Sequence, residues 1–442
     1  MFKRLLLILI GLVVVGFAGL LILAYRPAIA PIAPPSASSF PTERIARGKI
    51  LAGLGDCAVC HTRKDGQTYA GGYPMETGFG TIYSSNLTPD PDTGIGHWSE
   101  AAFARAMRQG VARDGSHLFP AFPYDHFSLV NDEDIGDLYA YFMSLAPVKA
   151  ATPPVDMPFP LSWRTLQAGW KLLFFHPKAY GPLTAPGKSP EWERGAYLAE
   201  GLGHCSACHS PRNALGGEKT GDARYSGAQI DRWYAPPLAA TNPTPIPWTE
   251  DELYGYLRTG ATALHGSSAG PMAPVIYEGL REAPDSDIRA LAVYFADRFG
   301  TTGQQYTPDA RLSKVMDSNK LGSAHQPRQG ANLFNAACAS CHYNSAAVPT
   351  LVRPELGLSS ALNASDPSSL IQIILHGINI KEGVPDTMMP GFSRTLDDAQ
   401  VAELASWLRS TRTSQPPWQD LEAQVAKLRT LPASAESQKS SQ

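Results

Sequence analysis

The chain has 442 residues, of which 43% are hydrophobic and 17% are charged, so it is long enough for several domains with apolar cores. Its 37 Lys and Arg residues nearly balance its 40 Asp and Glu residues, which gives no reason to expect a nucleic acid as a partner. The 39 glycines and 38 prolines exclude a fold made only of long uninterrupted helices and sheets, so much of the chain must be loop.

The N-terminal segment is apolar over residues 5–25 and follows Lys3 and Arg4. As a helix, these 21 residues would be roughly 31 Å long, enough to cross the hydrocarbon core of a membrane. A secretory signal usually has a shorter apolar region of roughly 7–15 residues, and the best cleavage site here is followed by Pro31. We therefore predict a single uncleaved anchor in residues 1–30, with a cleaved signal as the alternative. In both cases the basic end stays inside, which predicts a chain on the periplasmic side of the cell inner membrane.

All six cysteines belong to three copies of one short motif, Cys-x-x-Cys-His. Two cysteines at this spacing can each form a thioether with a heme vinyl group, and the histidine that follows can ligate the iron. The sequence therefore predicts three covalently attached hemes c. The copies are Cys57-Ala-Val-Cys60-His61, Cys205-Ser-Ala-Cys208-His209 and Cys338-Ala-Ser-Cys341-His342.

Three other uses of paired cysteines fit this pattern less well. A thioredoxin-like redox site needs no histidine after the second cysteine. A structural zinc site needs four ligands, and three identical units do not divide well into tetrahedral sites. Disulfides suit an exported chain, but they would not require the three histidines. Heme attachment also agrees with export, because bacteria attach heme to this motif on the outer side of the membrane.

Each motif closes one predicted helix and is followed, after loops, by a second predicted helix. The first helices cover 44–56, 191–204 and 327–337, and they carry Gly48, Gly195 and Gly330 near their starts. The second helices follow acidic residues, which favour a helix N-terminus, and have apolar residues on one face. A small residue on one helix lets an aromatic residue on another approach closely, so we expect the glycines to pack against these second helices. Their apolar patterns are Leu138-x-x-Tyr141-Phe142, Leu291-x-x-Tyr294-Phe295 and Leu404-x-x-Trp407-Leu408.

Crossed terminal helices of this kind resemble the class I cytochrome c fold, and the resemblance recurs three times along the chain. The predicted fold is mainly α, with three tandem class I cytochrome c domains behind an N-terminal transmembrane helix. A short helix at 421–428 is compatible with the composition of the polar tail. The predicted boundaries are 1–30 for the anchor, 41–148 for domain 1, 149–188 for a Pro-rich aromatic linker, 189–300 for domain 2, 301–326 for a second linker, 327–411 for domain 3 and 412–442 for the tail.

The sixth iron ligand is expected to be a methionine from the loop before the last helix of a domain. A count of twelve residues from the glycine before that loop leads from Gly260 to Met272 and from Gly377 to Met389. A thioether ligand raises the potential of a heme relative to a nitrogen ligand. Core filling is the alternative role for a methionine, but the matching positions favour Met272 and Met389 as ligands.

In domain 1 the same count from Gly110 leads to Phe122, which cannot ligate iron. His126, four residues later, is the leading substitute, and a histidine without a metal role is the alternative. Heme 1 is therefore expected to differ from the other two hemes. Further candidate ligands are His97, His117, Met107 and Met143.

Over roughly residues 40–411 the chain resembles the cytochrome c subunits of bacterial membrane-bound dehydrogenases. Matching stretches are Phe79-Gly-Thr-Ile-Tyr-Ser-Ser-Asn-Leu-Thr-Pro89, Trp98-Ser-Glu100 and Gln167-Ala-Gly-Trp170. The resemblance implies a non-catalytic electron-transfer subunit that partners a quinoprotein, flavoprotein or molybdenum hydroxylase catalytic subunit. It implies electron flow through three hemes to ubiquinone or a terminal oxidase. The stretch Phe-Pro-Tyr-Asp-His-Phe at 122–127 is similar to chains paired with molybdenum hydroxylases that act on aldehydes or N-heterocycles.

Two other functions are left open by the residues themselves. An open sixth position at heme 1 would let a heme enzyme bind peroxide, nitrite or another small ligand. A freestanding membrane-bound electron carrier would need no catalytic partner. The aromatic residues of the 149–188 linker favour a docked partner, although they would also serve to cover a domain interface. They are Trp163, Trp170, Phe174 and Phe175.

Overall fold

The computed structural model describes residues 2–177, 181, 183–322, 329–343, 348–351, 353–380 and 387–430. The start of the predicted third domain, 327–328, and the end of the predicted tail, 431–442, lie outside the described residues. The chain divides into two compact units. The first is Met1–Leu183 with Tyr197–His204 and Ala214–Gly217, and the second is Thr184–Ala196, Cys205–Asn213 and Glu218–Gln442.

The described part of the chain is mainly helical, as predicted, with short antiparallel two-stranded ribbons. The helices of the first unit are α1 (Phe2–Ala24), α2 (Thr42–Leu54), α3 (Cys57–Cys60), α4 (Glu100–Gln109), α5 (Tyr124–Phe127), α6 (Asp132–Ser144) and α7 (Leu166–Phe174). Helix α8 (Pro190–Glu200) has residues in both units. The helices of the second unit are α9 (Ser206–His209), α10 (Glu250–Thr259), α11 (Met272–Pro274), α12 (Asp285–Phe299), α13 (Ala310–Gly322), α14 (Gln329–Ala337), α15 (Ala339–His342), α16 (Ser360–Asn363), α17 (Ser368–His376), α18 (Asp398–Arg412) and α19 (Leu421–Thr430). The ribbons are β1 (Pro74–Thr77) with β2 (Gly80–Tyr83), β3 (Ala228–Ile230) with β4 (Trp233–Ala235), β5 (Ala261–Thr262) with β6 (Gly266–Ser267), and β7 (Ile378–Ile380) with β8 (Thr387–Met389).

Helix α1 is long and apolar enough to cross a membrane, as its sequence predicts. Its 23 residues span roughly 34 Å at the usual helical rise, and the hydrocarbon core of a bilayer is about 30 Å thick. Its most apolar stretch has no buried residues. A signal sequence near the N-terminus would have the same length and composition, so these properties make α1 a candidate span.

Glycines bring three pairs of helices into close contact, α2 with α6, α8 with α12, and α14 with α18. In each pair the glycine lies against a backbone carbonyl four residues before the aromatic residue of the second helix. The expected close approach of a glycine to a helix that carries an aromatic residue is therefore confirmed at all three places. A Cβ atom would lie 1.9 Å from the Asp137 oxygen at Gly48, 1.9 Å from the Ala290 oxygen at Gly195 and 3.0 Å from the Glu403 oxygen at Gly330, beside Tyr141, Tyr294 and Trp407 respectively.

Acidic residues support the N-termini of the second helices, as predicted. The Asn131 side chain caps α6 by accepting a hydrogen bond from the backbone N–H of Asp134 at 2.8 Å, and the acidic first turn favours the positive end of the helix dipole. The arginines that precede Gly48 and Gly195 reach the same region of their second helices. Arg47 pairs with Asp134 at 2.6 Å, and Arg194 pairs with Asp287 at 2.8 Å. The first two repeats therefore share an ion pair as well as a glycine contact.

Both predicted linkers contain a helix that the sequence analysis did not predict. Helix α7 lies in the 149–188 linker and α13 lies in the 301–326 linker. Helix α13 packs three apolar residues against the core residues Ile246 and Leu358. The three are Leu312, Val315 and Met316. The short helix considered for 421–428 is present as α19.

Part of the aromatic patch of the first linker packs inside the first unit. The ring of Tyr124 meets that of Trp170 at 6.3 Å and that of Phe175 at 5.2 Å, both edge-on. Trp163 instead lies 5.7 Å from Phe17 of α1, measured between ring centroids. Trp170 and Phe175 therefore cover the core of their own unit, a role that the sequence analysis did not consider.

The close contact at Gly195 predicts a large loss of stability for Gly195→Ala. The new Cβ would lie 1.9 Å from a carbonyl oxygen of α12, and backbone cannot move aside locally, so we expect a loss of about 3 kcal/mol. Thermal unfolding followed by circular dichroism should show a melting temperature lower by roughly 10 °C for this unit. Gly255→Ala is the matched control, because its Cβ would meet Thr262 at an ordinary 3.5 Å. Equal melting temperatures for the two variants would contradict the glycine argument.

Candidate heme-attachment sites

Each Cys-x-x-Cys-His motif forms a single helical turn directly after the first helix of its repeat. The turns are α3, α9 and α15, and in each the backbone N–H of the histidine donates to the carbonyl of the first cysteine. Residues at positions i, i+3 and i+4 of a helical turn share one face, so both cysteines and the histidine face the same side. The three N···O distances are 2.9 Å from His61 to Cys57, 3.2 Å from His209 to Cys205 and 2.9 Å from His342 to Cys338.

A backbone carbonyl holds the ring of each motif histidine. An Nδ1–H that donates to a carbonyl leaves Nε2 as the unprotonated nitrogen, and this is the form that ligates a metal. Burial lowers the pKa of all three imidazoles, which keeps them neutral at pH 7. The Nδ1···O distances are 2.7 Å from His61 to Ser85, 2.7 Å from His209 to Pro236 and 3.4 Å from His342 to Pro354.

The cysteines have the properties of attachment points rather than of reactive thiolates. None of the six forms a disulfide in the structure. Desolvation by the surrounding protein raises the pKa of the Cys57 thiol to about 12 and that of Cys338 to about 11. A redox-active Cys-x-x-Cys pair needs a lowered thiol pKa, so this environment disfavours a thioredoxin-like site. Two cysteines one helical turn apart, beside a neutral and oriented imidazole, fit the donor set that covalent heme requires.

The two predicted methionine ligands are both half-buried. Met272 is the first residue of α11 and follows Pro271. Met389 ends β8, where its neighbour Met388 is 81% exposed. Because successive side chains of a strand point to opposite faces, Met389 is the one of the two that points inward. The ligand roles of Met272 and Met389 stay predictions.

The structure buries His126, the ligand candidate of domain 1, in α5 at 4% exposure. Its Nδ1 lies 3.0 Å from the carbonyl oxygen of Glu200, which places the ring proton on Nδ1 as in the motif histidines. Phe122 lies before this helix and packs edge-on against Phe127, with the ring centroids 5.2 Å apart. Ligation of heme 1 by His126 stays a prediction, and its tautomer is the one that ligation through Nε2 requires.

Three of the further candidates have other roles in the structure. His117 uses both ring nitrogens, because Nε2 donates to the Ala24 carbonyl at 2.9 Å and Nδ1 accepts from the Lys171 ammonium at 3.0 Å. Met107 and Met143 are buried core residues. These contacts leave His126 and His97 as the histidine candidates, and His126 is the more buried of the two.

The sequence analysis missed His204, which directly precedes the second motif. Its Nε2 lies 3.3 Å from the carbonyl oxygen of Gly55. Gly55 and Asp56 are the two residues immediately before the first motif. Its ring centroid is 6.4 Å from that of His126, and desolvation together with His126 lowers the pKa of His204 to about 4. The two bonded positions are 149 residues apart, so no local pattern could have indicated this contact.

Comparisons with known proteins agree with the prediction from the motifs. A family model described as "Cytochrome c" matches residues 45–146, which contain the first motif. A second model, described as "Cytochrome C oxidase, cbb3-type, subunit III", matches residues 325–408, which contain the third motif. Cytochrome c domains imply covalently bound heme c.

Relatives match most of the chain. The alcohol dehydrogenase (quinone) cytochrome c subunit of Komagataeibacter europaeus is 36% identical over 399 residues, which are 87% of this chain and 84% of that protein. The gluconate 2-dehydrogenase cytochrome c subunit of Pantoea cypripedii is 38% identical over 383 residues, 83% of this chain and 85% of that protein. A nicotinate dehydrogenase subunit of Pseudomonas putida is 44% identical over 415 residues, 93% of this chain, but the chain spans only 34% of that protein's length. The chain therefore belongs to the family of cytochrome c subunits of bacterial dehydrogenases.

Proposed function

We propose that this chain is a triheme cytochrome c subunit that passes electrons from a periplasmic dehydrogenase catalytic subunit to ubiquinone or a terminal oxidase. One observation carries the proposal. The same local arrangement, a Cys-x-x-Cys-His turn with the histidine Nδ1 directed at a backbone carbonyl, occurs three times. Covalently attached heme iron supplies one-electron oxidation and reduction without any bond in a substrate being made or broken.

In this proposal the motif residues attach and orient the cofactors. The carbonyls of Ser85, Pro236 and Pro354 fix each imidazole ring and raise the basicity of its Nε2. Met272 and Met389 complete two of the sites and raise their potentials, and His126 completes the first. The thioethers form on Cys57 and Cys60, Cys205 and Cys208, and Cys338 and Cys341, and the axial histidines are His61, His209 and His342.

The proposed catalytic partner is a dehydrogenase that acts on an N-heterocycle. The relative that is 44% identical to this chain is named as a subunit of nicotinate dehydrogenase. The stretch at 122–127, which includes Phe122 and His126, also favours a molybdenum hydroxylase over the quinoprotein and flavoprotein partners. The alcohol and gluconate dehydrogenase relatives represent the alternative partner classes.

Purification from native membranes in a mild detergent tests the proposed partnership. The chain should copurify with a catalytic dehydrogenase subunit, and nicotinate or a related N-heterocycle should reduce the hemes of the complex. Gluconate and ethanol are the control substrates and should leave the hemes oxidised. A chain that purifies alone, with no substrate able to reduce it in the starting membranes, would instead be a freestanding carrier.

We place the chain on the periplasmic side of the inner membrane, held by α1. The length and apolar composition of α1 support this location, as do Lys3 and Arg4 at its N-terminal end. Mass spectrometry of the purified chain checks the anchor directly. An N-terminus at residue 1 or 2 supports an uncleaved anchor, whereas an N-terminus near Pro31 would show that the segment is a cleaved signal.

A further inference from the structure

Helix α7 has one face buried in the first unit and an opposite face that is apolar and exposed. Gln167, Ala168 and Lys171 are buried. Leu172 and Leu173 are both 61% exposed. An exposed pair of leucines on a helix that is otherwise well packed indicates an interaction surface.

The exposed face of α7 is the face that meets α1. Gly169 lies three and four residues before Leu172 and Leu173, so the three share one side of the helix. A Cβ on Gly169 would lie 3.8 Å from Cδ1 of Leu20 in α1. The apolar surface of α7 is thus continuous with the surface of the candidate membrane span.

The position of this contact along α1 sets its depth in a bilayer. Leu20 and Phe17, which meet Gly169 and Trp163, lie about 6 Å and about 10 Å from the end of α1 at Ala24. A helix of this length extends beyond the hydrocarbon core by only a few ångströms. With about 2 Å of helix beyond each side of the core, the residues that pack against Leu20 and Phe17 lie about 4 to 8 Å below the boundary between acyl chains and headgroups. Helices that lie in the membrane interface reach a similar depth, about 5–10 Å.

The rest of the segment has the composition of a membrane interface. Phe159 is 81% exposed and Leu161 is 38% exposed. Residues 157–177 contain no Asp or Glu, and the basic side chain of Arg164 is exposed whereas that of Lys171 is buried. Apolar and aromatic side chains together with basic residues favour binding in the plane of an anionic bilayer surface.

We propose that α7 and the preceding turn form a second membrane contact, in which Phe159, Leu161, Leu172 and Leu173 enter the bilayer interface beside α1. These four residues are the interfacial surface. The proposal rests on the proposed role of α1 as an anchor. Two contacts rather than one would fix the orientation of the first unit against the bilayer. A fixed orientation would hold its heme site at a constant distance from a lipid-soluble electron acceptor.

The bilayer is a better occupant of this surface than the catalytic subunit for two reasons. The surface is continuous with α1, whose own exposed residues must face lipid if it spans the membrane. Residues 157–177 also contain no carboxylate, a group that an anionic bilayer surface would repel. Occupation by the catalytic subunit is the competing outcome of the test.

Photolabelling of the full heme-loaded chain in vesicles of phosphatidylethanolamine and phosphatidylglycerol tests this proposal. A carbene precursor dissolved in the lipid is photolysed, and the chain is digested with trypsin. Peptide 172–178 should carry roughly tenfold more label per molecule than peptide 413–427, because an apolar reagent concentrates in hydrocarbon. Peptide 413–427 is the control, since it contains the half-buried Trp418 and belongs to the second unit.

Matched variants identify the cause of the labelling. The double variant Leu172→Gln/Leu173→Gln should lower the label on peptide 172–178 to the level of the control peptide, and Leu172→Met/Leu173→Met should keep it high. Equal labelling of the two peptides in the wild-type chain would overturn the proposal. So would labelling that disappears in the complex with the catalytic subunit. Strong labelling of α1 without labelling of peptide 172–178 would leave the anchor intact and reject only the second contact. The heme content of each variant is measured separately, as a check that the variant has folded.

Discussion

The purified heme-loaded chain should contain three covalent hemes, and the loss of one Cys pair should remove one of them. Thioether bonds to both cysteines of a motif hold the porphyrin. In Cys205→Ala/Cys208→Ala, the second heme would therefore be held only by the His209 ligand and by no covalent bond to a cysteine. The heme content should fall by one third. A pyridine hemochrome assay after extraction with acidic acetone measures this value, because the extraction removes heme that is not covalently bound.

Ser206→Ala is the control for this heme count. Ser206 is fully buried in the same motif, and its hydroxyl has no hydrogen-bond partner among the described residues, so its loss should leave three hemes. A heme content near zero in the wild-type chain, or bound zinc in its place, would refute the central assignment. A content of two would show that one of the three motifs serves another purpose.

The sequence predicted the features that local patterns encode. The helices before each motif, the helices with aromatic residues and their acidic N-termini all follow from residue spacing and composition. The contact of Gly195 with α12 was also predictable, because glycine has no side chain and lets another helix approach closely. A Cβ atom at this position would lie 1.9 Å from a carbonyl oxygen of α12. These are features in which a residue type directly implies a geometry.

The features that the sequence did not predict depend on tertiary contacts. Helix α13 lies in a polar stretch of the sequence. It is stabilised by the packing of Leu312 and Met316 against Ile246. The oxygen atoms that hold His61 and His209 belong to the backbone of Ser85 and Pro236. A backbone carbonyl leaves no signal in residue identity, so these partners could be found only in the folded chain.

Heme 1 should differ spectroscopically from the other two hemes. The residue at the counted position is Phe122, which packs against Phe127 and offers no ligand atom. If His126 ligates the iron, two nitrogen ligands should lower the potential of this heme relative to a His/Met heme, within the roughly 0.8 V range that axial ligands control. Low-temperature EPR should then show one low-spin species with different g-values from the other two. If nothing ligates, the iron should be high-spin and should bind carbon monoxide when reduced.

His126→Ala distinguishes these two cases, with His97→Ala as the matched control. Each change removes a ring whose Nδ1 lies against a backbone carbonyl, Glu200 at 3.0 Å for His126 and Ile32 at 2.7 Å for His97. The structural cost of the lost hydrogen bond, about 1–3 kcal/mol, should therefore be similar in the two variants. Only His126→Ala should convert heme 1 to a high-spin form that binds carbon monoxide.

Phe122→Met in the His126→Ala background should raise the potential of heme 1, because His126 no longer occupies the sixth position and the new thioether supplies the ligand that the repeat lacks. Methionine fills a volume close to that of phenylalanine and is flexible, so the α5 region should accept it. The near-infrared sulfur-to-iron charge-transfer band should increase by half, from the contribution of two His/Met hemes to that of three. Three equivalent His/Met signals in the wild-type chain would mean that another methionine already reaches this iron, and the count from Gly110 would then fail for domain 1. Carbon monoxide binding by the wild-type chain would instead favour an open site, and Phe122→Met should abolish that binding if the new sulfur occupies the same position.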